Sequence, residues 1–367
     1  MVGGLKNLIF MKTQQGSADF TKNLLKWNRQ KNTREMPWKA EKDPYRIWLS
    51  EVILQQTRVE QGWNYYEKFV TAFPDVFSLA RAPEKKVFKL WEGLGYYNRC
   101  RNLIATAKKI VRDYKGHFPD KYDEIRALKG IGPYTAAAIA SFAFGLPYAV
   151  VDGNVERVLS RYFGINTAVD SSSGKKLYAE LADALMDKKN PGIYNQAMMD
   201  FGAVICKPQQ PLCQLCVQVA DCVAYQQGWV SRLPVKEKKI ARKNRWLYYF
   251  IIETRDGRTY IRQRQEQDIW RNLYEFVVWE AGKALPEGDI VAIPLLKKIF
   301  LKRKFTVGSI STTHIQQLTH QVVHGRFISI SIDKPLANME GYLLVTKKSL
   351  SSYPFPKMIS SFLQRQS

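Results

Sequence analysis

The chain has 367 residues, of which 46% are hydrophobic and 13% aromatic. That composition excludes a disordered or fibrous chain and leaves room for two or three packed domains. Fifty-six lysines and arginines against 33 acidic residues give a net charge of +23, and such an excess points to a polyanionic partner, nucleic acid before anionic membrane. The first residues, MVGGLKNLIFMK, carry no secretory signal, and Met11 is an alternative start to Met1. The longest uncharged run, Gly130–Val151, holds Gly145 and Pro147, so it reads as a buried helix and loop rather than a membrane span.

From about Trp38 to Tyr225 the apolar spacing is helical. It predicts helices near Pro44–Phe69, Pro83–Trp91, Asn98–Tyr114, Tyr134–Phe144, Asn154–Phe163, Lys175–Met186 and Tyr194–Val204, separated by short Gly/Pro turns. In the first of these, SEVILQQT places Glu51 on one face with Ile47 and Leu54. A carboxyl on an apolar stripe is either paired, for instance with Arg58, or desolvated and able to carry a proton at neutral pH. GLGYYNR then sets Tyr96 and Tyr97 in a glycine loop before Arg99 and Arg101. Tyrosines so placed either pack in a core or stack against bases while the arginines meet phosphate.

LKGIGPYT follows, with Gly130 and Gly132 two apart between helical segments. It is either a plain helix connection or a hairpin whose backbone N–H groups face a phosphate. In VDGNVERV, Asp152 precedes a helix, which suits an N-cap as well as a chemical role.

Four of the five cysteines then fall at Cys206, Cys213, Cys216 and Cys222, spaced C-x6-C-x2-C-x5-C. In a chain without an export signal this spacing means metal ligation in a reducing compartment rather than disulfides. Spacing alone leaves Zn2+ and a [4Fe–4S] cluster both open, although the single CxxC pair departs from the two-knuckle zinc pattern. Cys100, between two arginines, reads as an ordinary thiol.

Residues 226–245 have linker composition, with seven basic residues and one acid between Arg232 and Arg245. After Arg245 the pattern turns to strands at Trp246–Thr254, Thr259–Arg264, Phe276–Trp279, Phe305–Ile310 and Arg326–Ile332. A hairpin turn is expected at Asp256-Gly257, and helices near Ile290–Leu301 and Pro356–Leu363. The expected organisation is a tail over 1–16, an all-α domain over 17–225, the linker, and an α+β domain over 246–367. His117, His314 and His324 have no constellation around them.

The order SEVILQQT, GLGYYNR, LKGIGPYTA, VDGNVERV and the four-cysteine spacing resembles the helix-hairpin-helix DNA glycosylase superfamily that carries an iron–sulphur cluster. The resemblance covers roughly Arg34–Cys222, and within it the chain is similar to the MutY family, which removes adenine mispaired with 8-oxoguanine. It implies a [4Fe–4S] cofactor on the four cysteines, duplex DNA with A:8-oxoguanine or A:G mispairs as partner, and a place in the bacterial cytoplasm at the nucleoid; no oligomerisation signal stands out, so a monomer is expected. By the same resemblance Glu51 is the acid that protonates adenine, and Asp152 stays ionised beside the sugar. Tyr134 and Asn154 organise both carboxyl groups. Arg34, Trp38, Leu54 and Gln196 line the adenine pocket, Gln56 and Tyr96 fill the duplex, and Gly130 and Gly132 grip its backbone.

Bifunctional relatives such as endonuclease III have lysine where this chain has Tyr134, so a monofunctional enzyme is implied. The family's C-terminal domain resembles the Nudix fold, and here it lacks a Nudix catalytic box. Thr319 and His320 fall where the family reads 8-oxoguanine, with Leu318 in place of an aromatic. The rival readings are an endonuclease III-like enzyme for oxidised pyrimidines and a catalytically silent damage sensor. The presence of both Glu51 and Asp152 weighs against the second.

Overall fold

The structure, a computed structural model, describes residues 19–237, 241–301 and 303–366. The expected tail lies outside the described residues. The helices run in order α1 (19–31), α2 (Pro44–Leu54), α3 (Val59–Ala72), α4 (Val76–Arg81), α5 (Glu84–Trp91) and α6 (Tyr97–Tyr114). They continue as α7 (Tyr122–Arg126), α8 (Pro133–Ala143), α9 (Gly153–Phe163), α10 (Ser172–Leu185), α11 (Pro191–Val204) and the short α12 (Val223–Gln226). The helix expected over Pro44–Phe69 is two helices: the first ends at Leu54, and Gln56 turns the chain with a φ of 57°. The short α4 and α7, and α1, were not legible as separate elements.

The chain packs as two units. The first holds residues 19–81 and 102–237, and its core gathers Phe20, Leu24 and Trp27 of α1 against Val155, Leu159 and Tyr162 of α9, Tyr178 of α10, and Tyr194 and Phe201 of α11. Trp27 meets Phe201 edge-on at 5.0 Å, a geometry worth roughly 0.5–1.5 kcal/mol beyond the area it buries. Local chemistry fixes where these helices begin. Asp43 caps α2 through Tyr45 N, with Pro44 at its first position, and Ser171 caps α10 through Gly174 N. Gly164 ends α9 in the left-handed conformation.

The second unit contains residues 82–101 and the chain from 241 onward. Its strands are β1 (Lys243–Thr254), β2 (Arg258–Gln263), β3 (Tyr274–Glu275), β4 (Val277–Ala281), β5 (Thr306–Ile310), β6 (His314–Gln317), β7 (Gln321–Ile332) and β8 (Leu343–Thr346). The sheet is mixed. β1 pairs parallel to β7 from Lys243↔Gln321 to Thr254↔Ile332, and antiparallel to β2 and β4. The helix expected over Ile290–Leu301 is α14 (Pro294–Phe300), which Pro294 starts, and a separate short helix, α13 (Glu287–Ile290), precedes it. The last helix, α15, spans Lys357–Gln364. Tyr248, Phe250, Ile252, Ile328 and Ile330 form one buried face of the sheet, and Leu247, Tyr249, Ile251 and Phe327 are buried on the other. Strands β3, β6 and β8, of two to four residues, are too short to stand out in the sequence. No helix among the described residues is long and apolar enough to cross a membrane.

Candidate active site

A cleft of about 530 Å³ opens in the first unit, and Glu51, Tyr134, Asp152 and Asn154 line it together with Arg34, Trp38, Leu54 and Gln196. Eight of the residues singled out from the sequence therefore share one cavity. Glu51 reaches it from the penultimate turn of α2, where it is 7% exposed. Among the described residues it has no ion pair with Arg58 or any other cation. Burial pushes its carboxyl up to about 7, a hydrogen-bonding interaction with the Tyr134 hydroxyl pulls it back, and the nearby Asp152 charge raises it further. Tyr134 stands at the start of α8, which α2 meets through Gln55 Nε2 donating to Thr135 Oγ1 at 3.2 Å. The Tyr134 hydroxyl also donates to Met199 Sδ at 3.7 Å.

Asp152 is the N-cap of α9, so the structural role open to it in the sequence is real. Its Oδ1 accepts from Asn154 N at 2.9 Å and Val155 N at 2.8 Å, and its Oδ2 from Asn154 Nδ2 at 2.7 Å. Burial raises its pKa, and these three donors with the Arg157 charge oppose that rise. Charge-assisted donation at a helix N-terminus favours the ionised form. Two carboxyl groups thus sit in one cleft in unlike surroundings, Glu51 with one hydroxyl and apolar walls, Asp152 with three N–H donors.

Arg157 ties this pair to the cysteine segment. Its guanidinium donates to Asn154 Oδ1 at 2.9 Å, to Gly202 O at 2.7 Å and to Cys206 O at 2.7 Å. Gly202 has to be glycine for α11 to come this close, since a Cβ there would lie 2.6 Å from Asn154 Cβ. The four cysteines line a small pocket with Ile205, Leu212, Val219 and Arg161. A 3₁₀ turn over Cys213–Leu215 presents Cys213 and Cys216 from adjacent turns, and Arg161 Nη1 donates to Cys206 Sγ at 3.5 Å. Four soft donors around one apolar pocket, with a guanidinium on one sulfur, suit a thiolate-bound metal group. Among the described residues, no three of these or other ligands converge as a single-ion site.

Between α7 and α8 the hairpin forms as the glycines require. Gly130 has a φ of +80°, and a Cβ there would meet the Asn102 side chain at 2.7 Å. Thr106 Oγ1 anchors the turn by donating to Lys129 O at 2.8 Å, and Gly132 is exposed at the N-cap of α8. Gln56 lies outside the cleft lining, in its left-handed turn. Tyr96, Thr319 and His320 belong to the second unit. Tyr96 is 45% exposed with a φ of 47°, and its hydroxyl lies 2.7 Å from Thr319 Oγ1. Thr319 and His320 form the turn between β6 and β7, closed by Leu318 N donating to Gln321 O at 2.8 Å. His324, without a constellation in the sequence, stacks on Trp246 at 3.9 Å.

Sequence reasoning missed Asp200. It is fully buried behind the cleft, with Arg34 Nη1 at 2.8 Å, Gln196 Nε2 at 2.9 Å and Asn32 Nδ2 at 2.8 Å donating to it. The available signal was an acid in the apolar run AMMDFGAV, one helical turn after Gln196.

A family model described as "HhH-GPD superfamily base excision DNA repair protein" matches residues 49–185, and a NUDIX domain model matches 248–365. The adenine DNA glycosylase of Buchnera aphidicola subsp. Acyrthosiphon pisum (strain APS) is 36% identical over 259 residues, 70% of this chain and 73% of that protein. This chain belongs to the adenine DNA glycosylase family. The Rattus norvegicus adenine DNA glycosylase is 41% identical over 227 residues, 59% of this chain and 44% of that one. Among solved structures, a thermostable thymine-DNA glycosylase superposes with a TM-score of 0.55 at 30% identity, covering 59% of this chain and 99% of its own. An endonuclease III–DNA complex, 22% identical with a TM-score of 0.50, shares the fold over 59% of the chain and 98% of its own. As an adenine DNA glycosylase of base excision repair, the enzyme hydrolyses the N-glycosyl bond to adenine in DNA. Its architecture is a helix-hairpin-helix domain of endonuclease III type followed by a Nudix-like α+β domain.

Proposed function

We propose that the enzyme removes adenine paired with 8-oxoguanine, or with guanine, from duplex DNA by a two-carboxyl mechanism and leaves the strand uncut. The observation that carries the mechanism is the shared cleft of Glu51 and Asp152, with Glu51 raised to about 7. Breaking the C1′–N9 bond needs a protonated leaving base and a stabilised sugar cation. A flipped adenine fits a cleft of this size, with Trp38 and Leu54 among the residues that line it. Glu51 donates its proton to N7 as the bond electrons move to N9, and the Asp152 carboxylate faces the cationic sugar. Water then adds at C1′ and gives a proton to the Glu51 carboxylate, restoring the acid and leaving an abasic site and free adenine. Tyr134 holds Glu51, and Asn154 holds Asp152. Neither offers an amine for a Schiff base, which supports a monofunctional enzyme.

The four cysteines would hold a [4Fe–4S] cluster, which crosslinks residues 206–222 when bound. Arg157 and Arg161 carry that order to Asn154 and to the backbone of Lys207 and Pro208. Iron analysis of the purified protein should give about four irons per chain with a broad visible absorption; zinc without iron would overturn the assignment.

For the second unit the reading is lesion recognition by binding. The Thr319 hydroxyl and the His320 ring stand at the tip of the β6–β7 turn, and Tyr96 adjoins Thr319. Thr319→Ala and His320→Ala should each narrow the ratio of single-turnover rates on A:8-oxoguanine and A:G duplexes, by about tenfold for a lost hydrogen bond to the lesion. An unchanged ratio in both variants would remove this turn from lesion reading.

A further inference from the structure

We propose that Asp200 is a positioning residue that sets which purine edge the cleft accepts, a role that rests on the adenine-excision reading above. The residue touches no part of the cleft surface itself. It is 0% exposed and binds four side-chain donors. Its Oδ1 takes Arg34 Nη1 at 2.8 Å and Gln196 Nε2 at 2.9 Å. Its Oδ2 takes Asn32 Nδ2 at 2.8 Å and Lys39 Nζ at 3.2 Å. Arg34, Lys39 and Gln196 all line the cleft.

The chemistry of a carboxylate fixes the sense of the Gln196 amide. Both oxygens of Asp200 already face donors, so it is the nitrogen of Gln196 that must face it. Two cations, Arg34 and Lys39, pair with that carboxylate. The remaining polar atom, Gln196 Oε1, has no hydrogen-bond partner among the described residues and is not sealed in the interior. It is the acceptor that Gln196 brings to the cleft. An acceptor at that wall matches the exocyclic amine of adenine, which donates. It opposes hypoxanthine, identical in shape except for a carbonyl oxygen at the same position. A free glutamine would turn its amide over and accept either base. The anchored one cannot, because the flipped amide would set its oxygen against the Asp200 carboxylate. Selection between amino and oxo purines therefore comes from a buried carboxylate one helical turn away from the residue that makes the contact.

The test compares single-turnover excision of adenine and of hypoxanthine, each opposite 8-oxoguanine, by the purified full chain. In Asp200→Asn the adenine-to-hypoxanthine ratio should fall by about tenfold or more. In Gln196→Met, which keeps the Asp200–Arg34 pair, it should fall to a similar value. In the double variant Asp200→Asn should bring no further change in the ratio, the non-additivity of residues that act as one unit. A merely structural role for Asp200 would lower both rates together and leave the ratio where it was, and that result overturns the proposal. If Asp200→Asn does not fold, an unchanged ratio in Gln196→Met overturns it alone. A wild-type enzyme that excises no adenine sinks both this inference and the reading beneath it. Wild-type activity with unchanged ratios sinks only the inference.

Discussion

Glu51→Gln is expected to slow single-turnover adenine excision at pH 7 by about 10²–10⁴-fold, the usual contribution of a general acid. Binding of a duplex carrying the mispair should stay within a few fold, because glutamine keeps the shape of the side chain. The same substitution should stabilise the fold at high pH. The folded pKa of Glu51 lies near 7 against an ordinary 4.5, so the folded state holds a proton that the unfolded chain has lost. Wild-type stability should therefore fall as pH rises from about 4.5 to 7, by roughly 3 kcal/mol at about 1.4 kcal/mol per pH unit. Glutamine removes that loss. Melting curves at pH 4.5 and pH 8 should show the variant gaining on wild type at the higher pH. Equal differences at both pH values would mean that Glu51 is not desolvated as described.

Asp152→Asn should lower the excision rate by about 10³-fold, because a neutral amide cannot stabilise the sugar cation. The helix should survive, since asparagine is as good an N-cap as aspartate and its carbonyl can keep the bonds to Asn154 N and Val155 N. The substituted amide would then face Asn154 Nδ2 as a second donor, while Arg157 holds Asn154 Oδ1 and prevents a flip. That mismatch should cost about 1–3 kcal/mol, visible as a drop in Tm of a few degrees. Single-turnover excision within a few fold of wild type would take Asp152 out of the chemistry and leave it a cap only.

The two roles of Asp152 show how far a sequence can carry the reading. An acid before a helix is legible as a cap, and only the company of SEVILQQT and LKGIGPYT made it a catalytic candidate. The helical half was legible because its apolar periodicity is strong and its turns are marked by glycine and proline. The break at Gln55–Arg58 was not, because neither glycine nor proline marks it and Gln56 takes a left-handed φ on its own. In the second unit the long strands β1 and β7 announced themselves by aromatic and β-branched residues. Their parallel pairing joins residues some 78 positions apart and leaves no local trace. The partners of Asp200 likewise come from α11 and from the segment between α1 and α2, so only its place in an apolar run one turn after Gln196 was legible. A ligand set assembled across the fold has no spacing to read.

Segment 82–101 belongs to the second unit although it lies amid helices of the first in sequence. Arg101 donates to Arg271 O at 2.7 Å, and Glu92 accepts from Phe355 N at 3.0 Å and Ser360 Oγ at 2.6 Å. Nothing in its helical periodicity distinguishes it from the helices around it.

The most direct measurement is the pH dependence of single-turnover adenine excision by the wild-type enzyme on a duplex with adenine opposite 8-oxoguanine, with strand scission read after alkali and without it. Glu51 must carry a proton to act, with Asp152 and Tyr134 as the titratable groups facing it. The rate should be flat on the acid side of neutrality and fall about tenfold per pH unit above about 7, with the strand broken only after alkali. A rate that stays constant to pH 9, or strands cut without alkali through a borohydride-trappable adduct, would contradict the account.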